Sequence, residues 1–182
     1  MTTVSAHGIG AELPAGFEAH IYQRTATGVE QTFPVAHFAT FPIPPGTGDF
    51  GGGATTLMGP ADVFVVLFEY GPDSLGTKLF SAQGMPRTLR PDDIKAHVLR
   101  RGIPGQGGTQ LFFTEGNRPF TLYVVVGSYT NRAQPVPKVN DLLGAIAITP
   151  RPALERTAQA ASPGGAAGAA AQRAALAVEQ WN

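Results

Sequence analysis

Two runs of β-branched and aromatic residues, Val63 to Tyr70 (VFVVLFEY) and Phe120 to Ser128 (FTLYVVVGS), constrain this chain more than any other feature. Such residues pack well on a pleated surface, and Gly and Pro close both runs, so each is predicted to be a strand. Val35 to Phe41, Ala54 to Met58 and Thr109 to Thr114 have the same wording, and Glu18 to Arg24 adds an edge strand after the Pro14-Ala15-Gly16 bend. The Gly59-Pro60-Ala61-Asp62 and Glu115-Gly116-Asn117 links are hairpin connections, which imply antiparallel pairing.

Two helices are expected beside the sheet. In RPDDIKAHVLRRGIP, Pro91 suits a first helical turn, Asp92 and Asp93 sit at the positive end, and Arg100 and Arg101 sit at the negative end before Gly102 and Pro104. In PVPKVNDLLGAIAITP, Val139, Leu142, Leu143 and Ile146 form an i, i+3, i+4, i+7 face after Pro137, with Gly144 as a weak point. The predicted class is α+β: an antiparallel sheet of about six strands packed with two or more helices, not a doubly wound α/β fold.

Wording changes after Pro150, where aromatic and β-branched residues almost vanish. Residues 1–152 are read as one globular domain and 153–182 as an Ala/Gly-rich tail, whose stretch 158–170 is too small in side chains to offset the entropy of ordering it. Near its end, Ala171, Ala175, Val178 and Trp181 recur at helical spacing. Leu176, Val178 and Trp181, the last being the only tryptophan, are therefore candidate partner-binding residues.

The stretch GTGDFGGGATT raises a nucleotide question, because Gly46, Gly48 and Gly51 spell G-x-G-x-x-G. A dinucleotide loop needs an entering strand and a leaving helix whose N-terminus meets the pyrophosphate. Here Pro42, Pro44 and Pro45 break the entry, and Gly52, Gly53, Thr55 and Thr56 are poor helix formers. A Gly-rich bend between two strands, with glycines at positive φ, is the expected reading. No cofactor is expected.

Other chemistry is equally thin. With no cysteine there is no thiolate nucleophile and no Cys-ligated zinc, and His7, His20, His37 and His97 never fall at i, i+4 or as H-x-H. No G-x-S-x-G elbow occurs. Glu69, Glu115 and His37 would make an acid-base site only if they converged in a cleft, and Glu69 is expected at a solvent-facing strand position. Thirteen basic residues balance thirteen acidic ones, so no long-range field favours nucleic acid, and no apolar run is long enough to span a bilayer. A cytoplasmic location is expected, with unconventional export left open.

The order ELPAGFEAHIY, AHFATFPIPPG, DVFVVLFEYG, a helix, LFFTEGNRPFTLYVVVGSY and VNDLLGAIAI resembles the small PsbP/Mog1-type α-β-α sandwich domains over about residues 12–148. The resemblance implies an accessory module that docks to a larger partner, and it carries over no functional residue. The expected function is thus a non-enzymatic protein-interaction domain with its tail as a candidate docking element, and a homo-oligomer formed through an edge strand is another option. The alternative is a binder of a small apolar ligand between sheet and helix, in a pocket lined by Phe68, Phe112, Arg118 and Tyr123.

Overall fold

The computed structural model describes residues 2–28, 31–96 and 103–152. Its strands are β1 (Thr2–Ala6), β2 (Ile9–Leu13), β3 (Glu18–Tyr22), β4 (Val35–Ala39), β5 (Val63–Glu69), β6 (Gly107–Glu115), β7 (Arg118–Val126) and β8 (Ile146–Ile148), with one α-helix, α1 (Val136–Ala145). They form an antiparallel five-stranded sheet in the order β3-β4-β5-β7-β6 and a three-stranded sheet in the order β1-β2-β8. The class is α+β, as expected, but in two sheets instead of one.

The apolar runs occupy the middle of the large sheet. All nine residues of β7 are buried, which is why that run shows no alternation: both of its faces are covered. One face of the sheet is sealed by α1 and the small sheet. Val63, Val65, Leu67, Leu122, Val124 and Val126 meet Ile9, Ala11 and Leu13 from β2 and Val139, Leu142 and Leu143 from α1 in one continuous apolar cluster. Among the described residues the opposite face carries no α-helix. Residues 41–58 and 70–80 fold over it as loops, bringing Phe41, Ile43, Ala54 and Phe80 onto Phe64, Val66, Tyr70 and Val125.

Both two-residue hairpin turns have positive φ at each central residue, 53° and 74° at His7-Gly8 and 57° and 59° at Gly116-Asn117. That is the geometry whose twist matches right-handed strands. The two turns lie together, because Thr149–Arg151 runs between them: Thr149 N donates to Gly8 O, and Arg151 N donates to Gly116 O, each at 2.9 Å.

Three sequence expectations are corrected. Ala54 to Met58 is not a strand: Thr55–Leu57 is a single 3-10 turn, because the glycines before it bend the chain twice. No helix starts at Pro91. Pro91–Asp93 is one 3-10 turn, the Asp93 carboxylate accepts from Arg90 N, and Lys95 then bridges to Gly108 at the edge of β6, pulling the chain into extended form. The rest of that predicted helix, from His97 to Arg101, lies outside the described residues, as do the tail and its candidates Leu176, Val178 and Trp181. α1 itself forms with Pro137 in its first turn and Val139, Leu142 and Leu143 buried, while Gly144 faces outward, but Ile146, expected on the same helical face, turns extended and opens β8.

Candidate functional site

Cross-strand register separates the residues proposed from sequence as one pocket. Phe68 pairs with Thr121, which pairs with Phe112, and Val66 pairs with Tyr123, so Phe68, Phe112 and Tyr123 share the loop-covered face. Arg118 is on the sealed face, four residues along β7 from Leu122. At the interface between sheet and helix the apolar side chains of β5, β7, β2 and α1 are buried in one cluster.

Arg118 has a different task. Its Nε donates to Glu69 Oε1 at 3.2 Å and its Nη2 to Glu69 Oε2 at 2.6 Å, while Nη1 and Nη2 also donate to the carbonyls of Gly8 (2.8 Å), Thr149 (3.2 Å) and His7 (2.9 Å). One guanidinium therefore ties the large sheet to the first hairpin and to the exit of β8. A Cβ at Gly8 would lie 2.8 Å from Arg118 Nη1, which is why the turn ends in glycine. Glu69 is fully buried, not solvent-facing as expected: its face is the one that the unforeseen small sheet covers. Its two oxygens also receive Arg151, whose side chain remains about half exposed (48%).

The loop-covered face holds the open space. A line of rings runs along it: Phe50 stacks on Phe68 at 5.2 Å, Phe68 meets Tyr70 at 5.0 Å, Tyr70 meets Phe80 at 5.0 Å, and Phe80 stands edge-on to Phe112 at 5.6 Å. Burial pushes the Tyr70 hydroxyl up to about 12 and raises that of Tyr123 as well, so both stay protonated at neutral pH. Two clefts open over this line. The first, about 870 Å³, lies between the Gly48–Thr56 loop and Phe33, Phe50 and Phe68. The second, about 1170 Å³, lies at the end of β5, among Phe33, Tyr70, Leu75, Phe80, Lys78 and Arg151. Gln31, Thr32 and Phe33 wall both.

The glycine-rich loop of the sequence is one side of the first cleft. Gly46, Gly51 and Gly53 have φ of 75°, 84° and 89°, so the expected bend with glycines at positive φ is what forms. A side chain at Gly51 would enter the Phe64 ring. Asp49 anchors the loop: its carboxylate accepts from Tyr22 Oη at 2.9 Å and pairs with Arg24 at 2.8 Å, and its carbonyl accepts from His37 Nε2 at 2.8 Å. A carbonyl can only accept, so His37 carries its proton on Nε2. Burial holds the His37 pKa below its ordinary 6.5, and burial, with Asp49 second, raises that of Tyr22. The element that follows the loop directly is the three-residue 3-10 turn at Thr55, too short to offer a phosphate a helix dipole, and β5 comes next.

The residues named for acid-base chemistry do not come together. His37 is on the loop-covered face, Glu69 is held by Arg118 and Arg151, and the Glu115 carboxylate accepts from Met85 N at 2.6 Å. Among the described residues no three His, Cys, Asp or Glu side chains are placed to hold a metal ion, and no helix is long and apolar enough to cross a membrane.

Sequence reasoning missed Lys78, Leu79 and Arg151. No local pattern marks them; loop closure alone brings residues 78 and 151 to one cleft. Among the described residues Leu57 and Leu79 are the large apolar side chains left exposed, at 63% and 43%, and each sits in a 3-10 turn whose neighbouring residues line one of the two clefts. Compared with protein-family models, curated proteins and solved structures, the chain matches none.

Proposed function

We propose that this is a non-enzymatic interaction domain, and that its binding face is the loop-covered side of the large sheet. One observation carries the reading: the two clefts share the wall Gln31-Thr32-Phe33 and are floored by one continuous line of aromatic rings, so they make a groove with a partition. A groove of that form suits an extended segment of a protein partner better than a compact ligand, with apolar side chains dropping to either side of Phe33. Leu57 and Leu79, which follow the lining residues Thr56 and Lys78 in the chain, add exposed apolar surface that such a partner would cover. This agrees with what the resemblance to PsbP/Mog1-type domains implies, an accessory module docking to a larger partner.

Charge selects the partner. In the second cleft the single Glu69 carboxylate is shared by Arg118 and Arg151, so the two guanidiniums exceed it by one positive charge, and the lining residue Lys78 adds another. The preferred segment therefore carries an acidic residue beside aliphatic or aromatic ones. Selecting a random peptide library on the full chain tests this. Recovered peptides are expected to pair Asp or Glu with large apolar residues and to lose binding on Leu79→Ser and Lys78→Glu; peptides indifferent to both variants would overturn the reading.

A further inference from the structure

We propose that Arg151 is the residue that reads the acidic side chain of a bound segment, through the Nε edge of its guanidinium, and that the buried Glu69 carboxylate aims it for that contact. This rests on the reading of the second cleft as a site for an apolar segment with a negative charge.

The three side chains that meet at Glu69 differ in how fully their hydrogen-bonding positions are used. Arg118 spends every N–H it has: Nε on Glu69 Oε1, Nη1 on the Gly8 and Thr149 carbonyls, and Nη2 on the His7 carbonyl and Glu69 Oε2. Glu69 is filled as well, since each of its oxygens accepts from both arginines. Arg151 is not. It meets Glu69 end-on through Nη1 and Nη2, so its Nε–H and the outer hydrogen of Nη2 have no partner among the described residues.

That remaining edge is the fork that a second carboxylate fits, and Arg118 presents the same edge, Nε with Nη2, to Glu69. Arg151 is also held in place at its backbone, where its N donates to Gly116 O and its carbonyl accepts from Asn117 Nδ2. One carboxylate between two guanidiniums leaves the cluster with one positive charge, and Arg118 is wholly buried, so half-exposed Arg151 is where a ligand meets it. Lys78 lines the same cleft, but as a point charge on a flexible stem it supplies attraction without a fixed fork. A segment with Asp or Glu beside apolar residues thus places its carboxylate on Arg151 and its apolar side chains among Phe33, Tyr70, Leu75 and Phe80.

A fluorescence-anisotropy titration compares a labelled peptide selected on the full chain with its twin in which the acidic residue is replaced by the amide. Arg118 still neutralises Glu69 in Arg151→Gln, so that variant keeps its fold, which a urea midpoint checks. The native chain is expected to prefer the acidic peptide about ten-fold or more. Arg151→Lys should lose most of that preference although it keeps the charge, and Arg151→Gln should bind both peptides alike. If Arg151 is only structural, its variants weaken both peptides together and leave the preference standing, which overturns the proposal. A preference that survives Arg151→Gln and vanishes in Lys78→Gln gives the task to Lys78 and overturns it too, with the cleft reading intact. So does a preference abolished by amidating the peptide's C-terminus and not by the side-chain amide, which would make the ligand a chain end. Selected peptides indifferent to Leu79→Ser and Lys78→Glu would instead sink the cleft reading itself.

Discussion

The two faces of the five-stranded sheet are built from similar strands but finished differently. On one, Val65, Leu67 and Val124 belong to one cluster with the ordered faces of α1 and β2, and Phe17, Met85, Leu89 and Ile94 from the connecting segments complete it. On the other, Phe64, Phe68 and Phe112 meet loops rich in Gly and Pro, whose uneven surface leaves the aromatic rings at Phe50, Phe68 and Phe112 partly uncovered. Regular elements can match a sheet along its whole length; loops touch it at points. The sealed face is the more continuously packed, and the proposed reading gives recognition to the other.

The comparison breaks most visibly at Arg118. It is the largest fully buried side chain, and its removal strips Glu69 of its buried counter-charge and leaves the His7, Gly8 and Thr149 carbonyls without that donor. Arg118→Ala is expected to lower the unfolding free energy by about 3–5 kcal/mol in urea denaturation. A loss below about 1 kcal/mol would mean that the small sheet does not depend on this tie.

On the loop-covered face the corresponding constraint is Gly51. Its φ of 84° disfavours any side chain, and the Phe64 ring occupies the space a Cβ would need. Gly51→Ala should cost about 1–3 kcal/mol and distort the first cleft with little effect on the second. Amide exchange checks this: faster exchange around Gly48–Thr55 with β1 and β2 unchanged is expected, and uniform change across both sheets would contradict it.

The same contrast governs what could be read from the residues. Strands β4 to β7 were legible because long apolar runs stand out whatever covers them. β1 and β2 were not: TTVSA and IGAEL are small and polar, and their one signal is the alternation of Ile9, Ala11 and Leu13 after His7-Gly8. Without β1 and β2 the covered sheet face is not legible, and the strand position of Glu69 reads as solvent-facing although it is fully buried. The Pro91-Asp92-Asp93 signal does start a helical turn, but the bridge from Lys95 to Gly108 ends it within a turn. The clefts were invisible for a related reason: Phe33, Lys78 and Arg151 meet only through loop closure, which leaves no period in the sequence.

Histidine protonation sharpens the comparison further. His37 is almost fully buried under the glycine loop, facing Tyr22, Phe64 and the Asp49 carbonyl, with His20 and Arg24 close enough to act on its charge. Its folded-state pKa is depressed, so below about pH 6.5 the unfolded chain binds a proton that the folded chain does not. Stability from this group is complete at neutral pH and declines as pH falls through 6.5 towards the lower folded value. Urea midpoints should drop between pH 7.5 and pH 5 by more in the native chain than in His37→Phe; equal drops would place the acid sensitivity elsewhere.

The smallest stability effect, and the sharpest test of the division between faces, belongs to Leu79. Its side chain is 43% exposed in the Lys78–Phe80 turn, so replacing it removes little burial, and Leu79→Ser is expected to change the unfolding free energy by no more than about 0.5 kcal/mol. If the loop-covered face is specialised for recognition, the same substitution must weaken binding of selected peptides by about ten-fold or more, as truncation of an apolar anchor does at an interface. Arg118→Ala reverses that relation, with a large loss in stability and, in the fraction that stays folded, the Lys78 and Leu79 side of the cleft intact. Plotting binding loss against stability loss for the two variants should place them at opposite corners. If both fall on one line, the groove's affinity follows from global stability, and the two faces do not divide the work.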